Sequence, residues 1–126
     1  THFRWMQEYG LDGVFMQRFV SELKRPRSKD HLDTVLHNAM ISAQRWGRAI
    51  SIMYDLSGMR PGDVQLLLSD MQILAEKYDI FDHKKCPSYL YHNGYLFANN
   101  LNIGVIAQVI SYECSLRFDL SRVICA

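Results

Sequence analysis

Residues 48–58 read RAISIMYDLSG, and the fold turns on how that stretch is read. A short apolar run from Ala49 to Met53 ends in Tyr54 and Asp55, and Ser57 and Gly58 follow. A run of this length, bounded by turn residues, predicts a strand buried on both faces, the habit of parallel sheets. A phenol and a carboxylate at the carboxyl end of such a strand are the means by which many α/β folds build sites. They also fit an ordinary strand followed by a polar turn.

Working outward, residues 11–20 read LDGVFMQRFV. Asp12-Gly13 is a turn signal, and Val14, Phe15 and Met16 open a second short apolar run, so a strand is expected at about Val14 to Phe19. Between the two runs lies DHLDTVLHNAMISAQRWG. Asp30 is placed as a helix N-cap with Asp33 in the first turn. Leu32, Val35, Leu36, Ala39, Met40, Ala43 and Trp46 then mark one helix face, and Gly47 closes it. After the break at RPGD, residues 60–63, a further helical face is formed by Val64, Leu67, Leu68, Met71, Leu74, Ala75 and Tyr78. At the start of the chain, Phe3, Met6 and Tyr9 recur at helical spacing, with Gly10 in the place of a left-handed C-cap.

The order is therefore helix, strand, helix, strand, helix. The strand starts at Gly13 and Ala49 lie about 36 residues apart, a βαβ period that predicts parallel strands covered by helices. A doubly wound sheet or a (β/α)8 barrel satisfies that order. No Gly-rich phosphate loop follows either run, which argues against a nucleotide fold. From Tyr89 the pattern changes. SYLYHNGYLF predicts a hairpin about an Asn93-Gly94 type I′ turn, with Tyr89 to Tyr91 leading in and Tyr95 to Phe97 leading out. Beyond it a strand is expected at Ile103 to Ile110, with one or two more in the tail.

Composition narrows the partners. The chain has 126 residues, 48% hydrophobic and 21% charged, with a net charge of +1. That suits one modest globular domain and gives no electrostatic footprint for nucleic acid or an anionic membrane. Lys24, Arg25, Arg27 and Lys29 cluster around Pro26 and are read as a solvated loop, the alternative being a phosphate-binding patch. No apolar run approaches the roughly 20 residues of a membrane span, and Thr1 to Arg4 is not a signal peptide. Cys86, Cys114 and Cys125 lack metal-type spacing and are expected as buried or incidental thiols. No histidines pair at metal spacing; no metal or cofactor is expected. His31, His37 and Trp46 fall on or beside a helix face, as surface or core.

Three motifs in order, FRWMQEYGLDGVFMQRFV, ISIMYDLSGM and DHKKCPSYLYHNG, resemble the glycoside hydrolase family 99-like proteins. These are relatives of bacterial endo-α-mannosidases that include chains described as xylosidases or arabinosidases. The resemblance covers residues 1–94. It implies a (β/α)8 barrel of which this chain carries about the second and third strands and the approach to the fourth. It also implies a periplasmic or secreted location, a carbohydrate substrate and retaining hydrolysis assisted by two carboxylates. After YHNG the family continues with Lys-Pro and an apolar strand ending in Trp-Gly, whereas this chain reads YLFANNLNIGV. Residues 95–126 are thus expected to be a divergent tail, as in a frameshifted or truncated product. The family's catalytic glutamates come later in the barrel, and Glu113 is the only glutamate after Tyr95 here. No catalytic residue is assigned.

In a parallel barrel the carboxyl ends of the strands face the active site. Gln17, Arg18, Tyr54 and Asp55 are expected on one rim as a polar cup for sugar hydroxyls, with tyrosine offering a flat face to a sugar ring. His92, beside the hairpin turn, is a further candidate for substrate binding, against a plain reading as an exposed turn residue. Asp55 has two competing structural readings: a cap for the Ser57-Gly58 turn, or an ion pair with Arg18.

Overall fold

A computed structural model describes residues 2–92, 95–96 and 123–125. Helix α1 spans His2–Glu8 and strand β1 Gly13–Phe19. A 3₁₀ turn, Val20–Lys24, leads into helix α2, Pro26–Trp46. Strand β2 is Ala49–Asp55, and a 3₁₀ turn at Pro61–Asp63 opens helix α3, Val64–Lys77. Short strands follow: β3 Tyr91–His92, β4 Tyr95–Leu96 and β5 Val123–Cys125.

The architecture is α/β. β1 and β2 pair in parallel along their whole length, from Gly13↔Ala49 to Phe19↔Asp55, with α2 as the connection, as the βαβ spacing predicts. β5 lies parallel on the other edge of β1, from Gly13↔Val123 to Phe15↔Cys125, so the strand order is β2-β1-β5. The chain returns to the outer edge of β2 at Ser88 to Leu90. Ile50 N–H donates to Ser88 O and Leu90 N–H to Ile50 O, both at 2.9 Å. Farther along that edge the Ile52 N–H donates to the Tyr89 hydroxyl at 3.3 Å, a phenol standing where a neighbouring strand would accept.

Side chains alternate across a strand, and here the alternation sorts the molecule into two faces. Val14, Ile50 and Ile52 form one core with Leu36, Ala39, Met40 and Ala43 of α2 and Leu74 and Ala75 of α3. Phe3 and Met6 of α1, together with Ile80, Cys86 and Tyr89, complete it. All three helices therefore cover the same face of β1 and β2. Gly47, at φ 57°, turns the chain out of α2, and the Arg48 N–H donates back to Ala43 O at 2.9 Å.

Several expectations need correction. α2 begins at Pro26 rather than at an Asp30 cap, so the basic stretch is a 3₁₀ turn, a junction and the first helical turn. Proline is favoured at that first position because its fixed φ suits the helix and its missing N–H would have had no partner there. Tyr9 lies beyond the end of α1 and is exposed, and Val35 also faces outward. Tyr89 and Leu90, expected as a hairpin arm, instead lie beside β2. Among the described residues the hairpin pairs Tyr91↔Leu96 and His92↔Tyr95, antiparallel. Its Asn93-Gly94 turn, the expected strand at 103–110 and most of the tail lie outside the described residues.

Gly13, read from sequence as half of a turn, starts β1 because nothing larger fits. A Cβ there would sit 2.5 Å from the Ala49 carbonyl oxygen and 2.8 Å from the Ala49 Cβ. Gly13→Ala is expected to force the first rung of the β1–β2 ladder apart and destabilise the chain by about 1–3 kcal/mol in urea unfolding. Gly62→Ala, where a Cβ meets nothing within 4 Å, serves as the neutral control. Equal stabilities for the two variants would refute the close approach.

Candidate functional site

The four candidates at the carboxyl ends of β1 and β2 separate into two pairs. Arg18 and Tyr54 are register partners, and their side chains turn toward the helices. Arg18 is 2% exposed and forms a fork with Asp70 of α3, Nε to Oδ2 at 2.6 Å and Nη2 to Oδ1 at 2.7 Å. The same Nη2 donates to Asp33 Oδ1 of α2 at 2.5 Å. The Tyr54 hydroxyl donates to Asp70 Oδ2 at 2.7 Å. Lys29 of α2 completes the group, 2.7 Å from Asp33 and 3.8 Å from Asp70. Two cations face two carboxylates, so the cluster is electrically balanced.

That balance sets the ionisation. Burial works against the Arg18 cation, but the hydrogen bonds and charges of Asp70 and then Asp33 outweigh it, and its pKa stands above the ordinary value. Burial likewise opposes the Asp33 carboxylate. Lys29 and Arg18 overcome that and hold it below the usual carboxylate range. Burial, followed by the charge of Asp70, pushes the Tyr54 phenol far up, so it stays protonated and donates.

Gln17 and Asp55 form the other pair. Each is one residue along the chain from the Arg18–Tyr54 rung and so projects from the opposite face of the sheet. Gln17 Nε2 donates to Asp55 Oδ2 at 2.5 Å, and the Ser57 N–H donates to Asp55 Oδ1 at 2.7 Å. Hydrogen bonding from Ser57, with a smaller part from Gln17, holds the Asp55 carboxyl below its ordinary pKa. A carboxylate accepts about four hydrogen bonds, so Asp55 uses only part of its capacity here.

The four residues expected on one rim do not share a face: Arg18 and Tyr54 turn to the helices, and Gln17 and Asp55 to the other side. Arg18 and Tyr54 are held behind the sheet by Asp70, where a ligand on the opposite face does not reach them. Asp55 does cap its turn through Ser57, and it pairs with Gln17 rather than Arg18. The side chain of His92 lies outside the described residues.

Sequence reasoning missed Asp70. Leu67, Asp70 and Leu74 share one buried stripe of α3. A carboxylate at core spacing demands a cationic partner, and that demand was legible. Asp33 was placed in a first turn as a complement to the helix dipole, whereas its partners are Arg18 and Lys29.

A cavity of about 120 Å³ lies between β1 and α2, bordered by Met16, Gln17, Arg18, Leu32 and Ile52. It opens past the exposed His31 and Val35 and is smaller than ligand pockets, which commonly measure roughly 300–1,000 Å³. Cys86 is buried as a free thiol, and burial pushes its pKa up. Among the described residues, no group of three or more His, Cys, Asp or Glu is placed to hold a metal ion. No helix among them is long and apolar enough to cross a membrane. Comparison of the chain with protein-family models, with curated proteins and with solved structures finds no match.

Proposed function

We propose that this chain is part of a carbohydrate-active protein of the glycoside hydrolase family 99-like kind, with β1 and β2 as neighbouring strands of a (β/α)8 barrel. In this reading Gln17 and Asp55 hydrogen-bond sugar hydroxyls at the barrel rim. The observation that carries it is the Gln17–Asp55 pair at the carboxyl ends of two parallel strands, on the face away from the helices. The packing of α1, α2 and α3 on one face supports the barrel over a doubly wound sheet, which puts helices on both faces.

The role assigned to these 126 residues is binding, not hydrolysis. Cleavage of a glycosidic bond calls for two carboxyl groups across the bond, roughly 5–10 Å apart. Asp55 is the single acidic residue within β1 and β2. An inactive scaffold is the second reading, favoured by the Asp55–Ser57 bond, which a turn needs for its own sake.

Titration of the labelled chain with methyl α-mannoside, methyl β-xyloside and methyl α-arabinoside separates the two. Binding of at least one glycoside is expected to move the Gln17 and Ser57 resonances, and Asp55→Asn is expected to weaken it about tenfold, the loss of a charged hydrogen-bond acceptor. No reducing sugar is expected above the level of the Asp55→Asn control. Resonances that stay still at saturating glycoside would refute the sugar site. Sugar release by the unmodified chain alone would refute the restriction to binding.

A further inference from the structure

We infer that Asp70 is the positioning residue of the Gln17–Asp55 pair, acting from the far face of the sheet. The inference rests on the reading of that pair as the polar site. In the register, Gln17 stands opposite Met53 and Asp55 opposite Phe19. The Gln17–Asp55 bond therefore runs diagonally across the ladder, and the rung it crosses is Arg18↔Tyr54. Both members of that rung end on Asp70, Arg18 through a two-pronged fork and Tyr54 through its hydroxyl. Asp70 is 2% exposed and sits on α3, so the fork fixes both strand ends to a third element.

The backbone ladder fixes the register of the two strand ends as far as Phe19↔Asp55, and Asp70 adds a side-chain tie at the rung that the pair crosses. Ser57 N–H orients Asp55 from two residues along the same chain segment, and it carries no information about where β1 lies. Gln17 has to be brought from β1, and a diagonal contact depends on the stagger and twist of the two strand ends. The ladder sets the stagger, and a carboxylate bonded to both strands constrains how the two ends twist against each other. The groups facing Asp70 are Arg18 of β1, Tyr54 of β2 and Lys29 of α2, while Asp33 of α2 shares both cations with it. A functional pair held within a fraction of an ångström by a buried supporting layer is the general pattern of preorganised sites.

The test is nuclear magnetic resonance on the full 126-residue chain carrying Asp70→Asn. Two reporters sit on the same Asp55 carboxylate: the Gln17 carboxamide across the strands, and the Ser57 N–H within the turn. The expected result is a split. The Gln17 carboxamide protons move to free-glutamine positions and exchange with solvent about tenfold faster or more, as for loss of a bond to a charged acceptor, while Ser57 keeps its hydrogen-bonded shift. A folded Asp70→Asn chain in which Gln17 is unchanged overturns the inference.

If Asp70→Asn does not fold, Tyr54→Phe decides, since it removes one of the bonds to Asp70 and leaves the Arg18 fork. The same split is then expected at a smaller amplitude, roughly threefold in exchange. Both reporters unchanged, or both lost together, overturns the inference. Neither readout needs a sugar, so a chain that binds no methyl glycoside can still show the split, and the two failures are told apart.

Discussion

Arg18→Ala is expected to lower the free energy of unfolding by about 3–5 kcal/mol. The substitution strips Asp70, 2% exposed, of the guanidinium that forks onto it and leaves Asp33 with Lys29 alone. A buried carboxylate with no counter-charge is among the costliest groups to retain in a fold, and natural domains have only about 5–15 kcal/mol in total. Lys29 lies 3.8 Å from Asp70 and is partly exposed, so it recovers little of the loss. The exposed Arg4–Glu8 pair makes the contrast. Its bond is equally short, 2.7 Å, yet both side chains are in water, and Arg4→Ala is expected to cost no more than about 0.5 kcal/mol. Urea unfolding of both variants decides, read as a shift in midpoint at unchanged slope. A loss below about 1 kcal/mol for Arg18→Ala would mean that the guanidinium is not a structural keystone, and its place at a sugar rim would reopen. The double substitution Arg18→Met with Asp70→Leu is expected to recover only part of the stability: replacing a buried ion pair with apolar side chains is often neutral, but the Tyr54 hydroxyl loses its acceptor.

Leu74→Ala is expected to cost about 2–5 kcal/mol. Leu74 is 2% exposed and belongs to the core that joins α3 to Val14, Ile50 and Ile52 of the sheet. Alanine is the best helix former, so the substitution leaves the helix propensity of α3 intact and removes only packing. The size of the loss therefore measures how firmly α3 is seated on the face that α2 also covers. Ile73→Ala, one residue away and 53% exposed, is expected to stay within about 0.5 kcal/mol. If the two variants unfold at the same urea concentration, α3 does not dock through the Leu67–Leu74 stripe, and the one-sided placement of the helices falls with it.

The parallel pairing of β1 and β2 is legible in the sequence. Two short apolar runs a βαβ period apart, with an amphipathic segment between them, leave a crossover as the simple connection. The stripe through Leu36, Ala39, Met40 and Ala43 was legible for the same reason, since 3.6-residue periodicity is imposed by burial and burial is what was found. Less visible were the helix starts. Asp30 has cap chemistry, yet Pro26, four residues earlier, has the conformation that a first helical position wants, and it carried the start.

The candidate site divides along the same line. Its residue types and its location at the strands' carboxyl ends follow from sequence, because strand direction and the last apolar residue fix where Gln17, Arg18, Tyr54 and Asp55 fall along the axis. Which of them share a face was fixed by tertiary structure. Side chains alternate with a period of 2, so neighbours such as Gln17 and Arg18 have to point opposite ways. Only the parallel register, Arg18 opposite Tyr54, shows which partner each one meets. Asp70 and Asp33 then claim Arg18 from two helices that are 52 and 15 residues away in the chain. No local pattern encodes that meeting, since its energy comes from satisfying a buried charge and depends on how α2 and α3 settle on the sheet.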